Sequence, residues 1–339
     1  MKSYAMGLWF TACLAVGLGT VTAVGQSTAN TADAHVALAK AAAAQDHTGL
    51  FGTVCAPSAV QPATPPQQGQ AATPAAPQQQ GPPPRSQWHA EPVKVFDNLY
   101  FVGQTEYSAW AVTTSDGIIV IDTIFNYSVE DEVVEGLKKL GLDPAKIKYA
   151  IVSHGHGDHS GGAKYLQEHF GTRIILSASD WDLLERNTRD QSKPKRDMVA
   201  TDGQKLTIGD TTLTLYLTPG HTPGTISTLI PVKDGGKQHL AAEWGGTAFN
   251  FPRTTENFMV YSKSAERFRD IVTKAGADVL IANHTLFDGS KTKLPALSTR
   301  KPGDPNPYVI GNDAVKRYLT VADECAKAAL AGLNAQVSR

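Results

Sequence analysis

The stretch Ser153-His154-Gly155-His156-Gly157-Asp158-His159 decides the fold of this chain. It follows directly on residues 147–152, an apolar run with the length and composition of a buried strand. The polar cluster is therefore expected at the carboxyl end of a strand, where open α/β sheets place their functional sites. Packing does not explain three histidines and an aspartate within six residues, because such groups are costly to bury without partners. The stretch predicts a metal site.

The spacing within this stretch suits two neighbouring metal ions. The two histidines that flank Gly155 face one ion, and the adjacent Asp158-His159 pair faces the other. Zinc in catalytic sites takes three protein ligands and keeps one position open, so further ligands are needed. His221 follows a predicted strand within a Pro- and Gly-flanked turn, and His284 follows the apolar run 278–282. The candidate metal ligands are His154, His156, Asp158, His159, His221 and His284.

Strands and helices alternate on both sides of these motifs. The patterns predict strands at residues 93–96, 100–103, 109–113, 118–122, 147–152, 173–177, 205–208, 212–217, 227–231, 239–242 and 278–282. They predict helices at residues 129–140, 163–170, 180–184, 262–275 and about 312–334. Two mixed half-sheets with outer helices indicate the α/β class and a four-layer αββα sandwich. The charged stretch 186–202 is interpreted as a long loop that overhangs the site.

The region before the motifs divides into three parts. Residues 1–25 have a positive start, an apolar stretch and small residues near the end, which predicts a cleaved signal peptide and a periplasmic or secreted protein. A membrane anchor is the alternative. Residues 26–56 form an Ala-rich helical segment, and residues 57–87 form a Pro/Gln/Ala-rich linker. The catalytic domain then spans residues 88–339.

The charge balance limits the classes of binding partner that the sequence predicts. The chain has 31 basic and 32 acidic residues, so no basic patch predicts a nucleic-acid or anionic-membrane partner. We therefore expect a small-molecule substrate, no nucleic acid, and no stable membrane association after signal cleavage. The sequence leaves the oligomeric state open.

Two cysteines remain once the predicted signal, which contains Cys13, is removed. In an oxidising compartment, Cys55 and Cys325 can form a disulfide that ties the N-terminal segment to the last helix. Two unpaired thiols are the alternative.

The sequence resembles the metallo-β-lactamase superfamily over residues 88–331, and within it the subclass B3 β-lactamases. The resemblance rests on the HxHxDH loop and on residues 88–92, 99–103, 147–151, 219–224 and the closing helix near residue 312. It implies the αββα fold and periplasmic export. It also implies two zinc ions, the first on His154, His156 and His221 and the second on Asp158, His159 and His284.

The sequence departs from its relatives in several places. Gly246 stands where many other hydrolases of the superfamily carry a bridging aspartate, and no cysteine ligand of the subclass B1 type is present. Both features agree with subclass B3. In contrast, the usual B3 cysteine pair is replaced by Ala277 and Val315, and the usual serines near the substrate carboxylate are not evident, although Thr247 and Asn250 are candidate substitutes.

The resemblance implies that a metal-activated water opens the amide of a β-lactam ring, with Asp158 both a ligand and the catalytic residue that orients this water. One alternative is a related zinc hydrolase of a lactone, thioester or phosphoester. Another is a zinc-binding protein without catalytic activity.

Overall fold

The computed structural model describes Met1 and residues 31–60, 81–187 and 192–337. Apart from Met1, the predicted signal peptide lies outside these ranges, as do residues 61–80 of the predicted linker. Within the described ranges, no helix is both long and apolar enough to cross a bilayer.

The first sheet carries the metal-site loop. Its seven strands lie in chain order: antiparallel pairs join β1 to β4, and parallel pairs join β4 to β7. Because β5 lies between two parallel neighbours, its carboxyl end lies at the same edge of the sheet as the carboxyl ends of β4 and β6. The strands are β1 (Val93–Lys94), β2 (Leu99–Phe101), β3 (Trp110–Thr114), β4 (Gly117–Ile121), β5 (Ile147–Ile151), β6 (Arg173–Ser177) and β7 (Met198–Ala200).

The second sheet supplies the other two loops of the site. Its order is β12-β11-β10-β9-β8; β11 and β12 are parallel and the other pairs are antiparallel. The strands are β8 (Gln204–Ile208), β9 (Thr211–Leu217), β10 (Ile226–Asp234), β11 (Lys237–Trp244) and β12 (Val279–Ala282).

Helices cover the outer face of each sheet. One apolar core lies between the sheets and includes Phe101, Trp110 and Ile226. Separate outer cores pack around Trp181 behind the first sheet and around Phe268 behind the second. The four-layer αββα sandwich is thus confirmed. The helices are α1 (Ala32–Ala43), α2 (Thr48–Val54), α3 (Pro57–Val60), α4 (Glu135–Lys139, preceded by the π-helical turn Glu130–Val134), α5 (Gly157–Ser160), α6 (Ala163–Phe170), α7 (Ala178–Arg186), α8 (Thr255–Ala275), α9 (Ser290–Ser298) and α10 (Asn312–Val337).

Several element boundaries differ from the sequence-based predictions. The stretch 186–202 is not all loop, because its end forms the edge strand β7. Helix α8 begins seven residues before the predicted start at residue 262, with Thr254 as its N-cap. Helix α9 was not predicted, because it is polar and contains Pro295. The first four residues of the predicted linker form α3 instead.

The N-terminal segment packs against the last helix. Leu50 and Val54 are almost fully buried in the same core as Tyr318 of α10. His47 Nε2 donates to the carbonyl oxygen of Ala314 at 2.8 Å, and its ring meets the Tyr318 ring edge-on at 5.3 Å. The segment is therefore part of the domain and not only a tether.

A disulfide joins this segment to α10. Cys55 and Cys325 are bonded, with Cα atoms 5.0 Å apart and a sequence separation of 270 residues, which confirms the predicted pair. Closing so long a loop removes a large amount of conformational freedom from the unfolded chain.

We expect reduction of this disulfide to lower the free energy of unfolding by about 2–5 kcal/mol, because the unfolded chain regains loop freedom. Urea unfolding with and without reductant measures the effect. A Cys55→Ser/Cys325→Ser variant is the control and should not respond to reductant. Equal stability of the oxidised and reduced wild-type protein would contradict the expectation.

His47 should make stability depend on pH. Burial lowers the pKa of His47 from 6.5 to about 4. Between these values the unfolded chain binds a proton that the folded protein resists, so the free energy of unfolding falls as the pH is lowered through this window. His47→Gln keeps a donor for Ala314 and removes the titration, so the slope should become shallower in urea unfolding across the window. His169→Gln, on the exposed side of α6, is the matched control; a His47 variant with the wild-type slope would contradict the assignment.

Candidate metal centre

The first ligand loop connects β5 to α5. The strand ends at Ile151, and the following residues turn at the rim of the sheet, with His156 as the N-cap of the short helix α5. His154 and His159 are almost completely buried, whereas Asp158 remains partly open to the cleft. The loop thus presents its side chains in one cluster, as the sequence predicts.

The other two predicted ligands come from the second sheet. His221 lies in the turn between β9 and β10, after Gly220 at φ +151°. A side chain at Gly220 would meet the Cα atom of Tyr261 at 2.8 Å, so only glycine fits this turn. His284 follows β12, which runs parallel to β11. The structure brings all six predicted ligands to the same rim.

Three histidines form the first cluster. His221 Nε2 lies 3.0 Å from His154 Nε2 and 3.1 Å from His156 Nδ1. The ligand atoms of these residues all lie within 4.8 Å of one another. A tetrahedral zinc with bonds of about 2.0–2.1 Å places its nitrogen ligands roughly 3.3 Å apart. The cluster therefore has the dimensions of a zinc site.

Hydrogen bonds on the far side of two rings fix their tautomers. His154 Nδ1 donates to the carbonyl oxygen of Gly245 at 2.8 Å, and His221 Nδ1 donates to that of Ala248 at 2.5 Å. Because a carbonyl oxygen only accepts, both protons are on Nδ1, and the two Nε2 atoms face each other with lone pairs. This contact is repulsive unless a cation lies between the rings, so the residues fit a metal ion.

Asp158, His159 and His284 form the second cluster. His159 Nε2 lies 3.2 Å from Asp158 Oδ2 and 3.2 Å from His284 Nε2, and His284 Nε2 lies 3.7 Å from the same carboxylate oxygen. His159 Nδ1 contacts Asp122 Oδ2 at 2.8 Å. This carboxylate–histidine pair is typical of metal sites, where it orients the ring and raises its basicity.

The protonation of the histidines also suits metal binding, which requires neutral imidazoles. Burial lowers the pKa of His221 to about 4 and that of His284 to about 3, and it lowers the pKa of His154 and His156 as well. His159 differs. Burial alone would lower its pKa, but Asp122 and Asp158 raise it to about 10. The negative field that holds a proton there also favours a dication.

Sequence reasoning missed three polar residues that support the ligands. Asp122, in the left-handed region at φ +58°, accepts hydrogen bonds from the backbone N and Oγ of Ser153. Asn283 Nδ2 donates to the carbonyl oxygen of Gly245 at 2.7 Å. Asp180 connects two ligand loops. Asp122 and Asn283 both adjoin the ends of apolar strands, which is the signal that could have revealed them.

The other five histidines lie apart from the two clusters. Each of them has a protein partner: His35 contacts Glu324, His47 contacts Ala314, His89 contacts Glu132, His239 contacts Asp278 and His169 stacks on Tyr165.

The backbone at Gly246 leaves no room for a bridging carboxylate. A Cβ atom there would lie 2.6 Å from His221 Cβ and 3.0 Å from a methyl group of Thr225. Packing against the His221 turn therefore excludes an aspartate at this position.

Comparison with solved structures shows the same fold in two metallo-beta-lactamases. A subclass B3 metallo-beta-lactamase of Bradyrhizobium japonicum is 26% identical with a TM-score of 0.58, and the match covers 74% of this chain and 94% of that chain. A metallo-beta-lactamase of Cronobacter sakazakii is 25% identical with a TM-score of 0.58, covering 74% and 95%.

Curated relatives give a partial match. An N-acyl homoserine lactonase of a Bacillus species is 29% identical over 153 residues, which are 43% of this chain and 59% of that protein. The corresponding lactonase of Bacillus thuringiensis is 30% identical over 125 residues, 36% of this chain and 48% of that protein. The chain thus spans between about half and three fifths of the length of these relatives.

A family model agrees with both comparisons. The model described as the metallo-beta-lactamase superfamily matches residues 102–235, which include the first ligand loop and His221. On this match, the αββα fold and its structural neighbours, the chain is similar to the metallo-beta-lactamase superfamily and to a subclass B3 enzyme within it.

Proposed function

We propose that this chain is a zinc-dependent hydrolase that opens the amide of a β-lactam ring. His154, His156 and His221 would hold one zinc ion, and Asp158, His159 and His284 a second. The observation that carries the proposal is the pair of three-residue clusters at one rim, together with a backbone that excludes a bridging carboxylate at Gly246. This is the ligand pattern that the B3 resemblance implies.

The chain's own groups favour water as the nucleophile. Ser153 Oγ donates to Asp122, and Ser160 Oγ donates to the carbonyl oxygen of His156, so neither hydroxyl is presented as an activated nucleophile. Zinc, when bound, supplies a Lewis acid that polarises the scissile carbonyl and lowers the pKa of water. Asp158 is the one carboxylate of the two clusters, and its side chain is 23% exposed. It is placed to accept a hydrogen bond from the attacking water and so to orient it.

Export to the periplasm or the medium belongs to the same proposal. The disulfide between Cys55 and Cys325 supports it, because disulfides persist in oxidising compartments. Antibiotic resistance would be the consequence of β-lactam hydrolysis there.

Hydrolysis of a lactone is the second candidate. It is favoured by the partial match to N-acyl homoserine lactonases. A lactone ester and a β-lactam amide both present a strained or activated ring carbonyl to the same metal-activated water, so only substrate tests separate the two.

We expect the purified zinc-loaded protein to hydrolyse a penicillin, a cephalosporin or a carbapenem, to lose this activity with a chelator, and to bind about two zinc ions per chain. His221→Ala should reduce turnover to the chelated level and lower the zinc content, because it removes a ligand. His169→Ala, an exposed histidine on α6, is the control. Turnover of N-acyl homoserine lactones without turnover of any β-lactam would replace the leading proposal by the second candidate.

Asp180 of α7 is a positioning residue for the first cluster. Its side chain is fully buried, and Oδ2 accepts from the backbone N of Gly155 at 2.8 Å and from Thr222 Oγ1 at 2.7 Å. Gly155 lies between His154 and His156, and Thr222 follows His221. One carboxylate therefore holds together the two loops that carry the three-histidine cluster.

We expect Asp180→Ala to weaken zinc binding at the three-histidine cluster by about 10- to 100-fold, because the two ligand loops lose their shared acceptor. Titration against a chromophoric chelator measures the affinity directly. Asp182→Ala is the matched control: this carboxylate lies on the same helix but is half exposed and paired with Arg196. Equal zinc affinity of the two variants would show that Asp180 does not position the ligands.

A further inference from the structure

The predicted histidine ligands differ in how their rings are oriented. Carbonyl oxygens accept hydrogen bonds from Nδ1 of His154 and His221. Asp122 Oδ2 lies 2.8 Å from His159 Nδ1. In contrast, His284 Nδ1 has no such partner among the described residues, and the His284 side chain is 26% exposed. The position of His284 Nε2 therefore depends on the backbone of the loop that carries it.

This loop, residues 283–289, connects β12 to α9. Its first residues are bonded to a loop of the first sheet: Ser108 N donates to the carbonyl oxygen of Asn283 at 2.9 Å, and Thr285 N donates to that of Glu106 at 3.1 Å. Strand β12 is an edge strand of the second sheet, so it has a neighbouring strand on one side only. On its other side, backbone N–H groups of β12 need partners from outside the sheet.

Asp288 supplies such a partner. Its side chain is almost fully buried; Oδ2 accepts from the backbone N of Ala282 at 2.9 Å, and Oδ1 accepts from that of Ser290 at 2.8 Å. The bond to Ser290 is the local turn contact that aspartate often makes two residues ahead. The bond to Ala282 reaches six residues back along the chain. Because His284 lies between Ala282 and Asp288, this second bond closes the loop around the ligand.

The surroundings of Asp288 keep it an acceptor at neutral pH. Burial raises the pKa of Asp288 to about 6, whereas the Lys293 charge and the donors at Ser290 and Ala282 oppose this shift. Lys293 Nζ lies 5.0 Å from the centre of the Tyr308 ring, and Tyr308 Oη pairs with Ser290 Oγ at 2.7 Å. A buried carboxylate is unfavourable unless its hydrogen bonds are made, and here both oxygens have backbone donors.

We propose that Asp288 is a positioning residue for the second metal cluster. It ties the His284 loop to the end of β12 and thereby sets the distance of His284 Nε2 from the other two residues of that cluster. Asp288 acts through the backbone and not by contact with a metal ion. This inference rests on the proposed two-zinc hydrolase and deepens it.

The first experiment measures both zinc affinities of the full-length protein by titration against a chromophoric chelator. Asp288→Asn keeps the shape of the side chain but replaces one acceptor oxygen with an NH₂ group, so one buried N–H loses its partner. We expect this variant to bind one of the two zinc ions about tenfold more weakly, an effect typical of residues that orient metal ligands, and to bind the other ion as the wild type does. Asp323→Asn is the matched control, because Asp323 is also buried but bonds to Ser262 and Lys327 behind the second sheet.

A second variant separates the two bonds of Asp288 and guards against a folding defect in Asp288→Asn. In Asp288→Ser, the hydroxyl still accepts from the backbone N of Ser290, as serine does in similar turns. The shorter side chain does not reach Ala282 N. This variant should therefore keep the start of α9 and weaken the same zinc ion. Wild-type zinc affinities in both Asp288 variants would overturn the proposal.

A double-mutant cycle tests whether Asp288 acts through His284. His284→Ala should itself weaken the second zinc ion, and adding Asp288→Asn to it should cause no further loss, because the positioned ligand is absent. An equal loss from Asp288→Asn with and without the His284 ring would show a general effect on stability and would overturn the positioning role.

Zinc binding is measured independently of turnover, so the inference and the proposed function can fail separately. Two zinc ions in the wild type, a selective loss in Asp288→Asn and no turnover of any ring would support the positioning role and overturn the hydrolase. Unchanged zinc affinities in both Asp288 variants, in proteins that turn over a ring, would leave the hydrolase intact. Fewer than two zinc ions in the wild-type protein would overturn both.

Discussion

The site depends on one unfavourable contact, the approach of the Nε2 atoms of His154 and His221 to 3.0 Å with lone pairs facing. Carbonyl oxygens behind the rings fix this arrangement, so neither ring can relieve the contact by moving its proton. Moving the rings apart would avoid the repulsion, but packing holds them in place. A cation between the rings turns the same contact into metal coordination. The backbone thereby selects for a metal ion before any ion is bound.

The sandwich makes this contact possible because the two sheets open at the same rim. The β5 loop comes from the first sheet, whereas His221 and His284 come from two separate strand ends of the second. Each metal cluster therefore contains ligands from both sheets. Asp180 and Asp122 lie behind the clusters and hold the loops at fixed distances, so ligand geometry depends on the apolar core between the sheets.

The fold and the disulfide were predicted from the sequence alone, and the six residues predicted as metal ligands lie together in the two clusters. The motif is informative because metal ligands need specific side chains, and packing alone rarely produces a dense run of them after an apolar strand. Elements without such a signature were missed: β7 is three residues long at a sheet edge, and α9 is polar and contains a proline. Asp180 could not be found because its role depends on partners distant in the chain.

The pairing of α1 and α2 with α10 has a consequence for the order in which the protein folds. The apolar faces of the first helices, around Ala39 and Leu50, have their main partner in the last helix, which is synthesised some 270 residues after Cys55. The N-terminal segment therefore lacks this partner until α10 has been synthesised. Gly49 of α2 packs closely against Leu286, which lies two residues beyond His284. Docking of the first helices against α10 thus also packs them against the segment that follows the last predicted ligand.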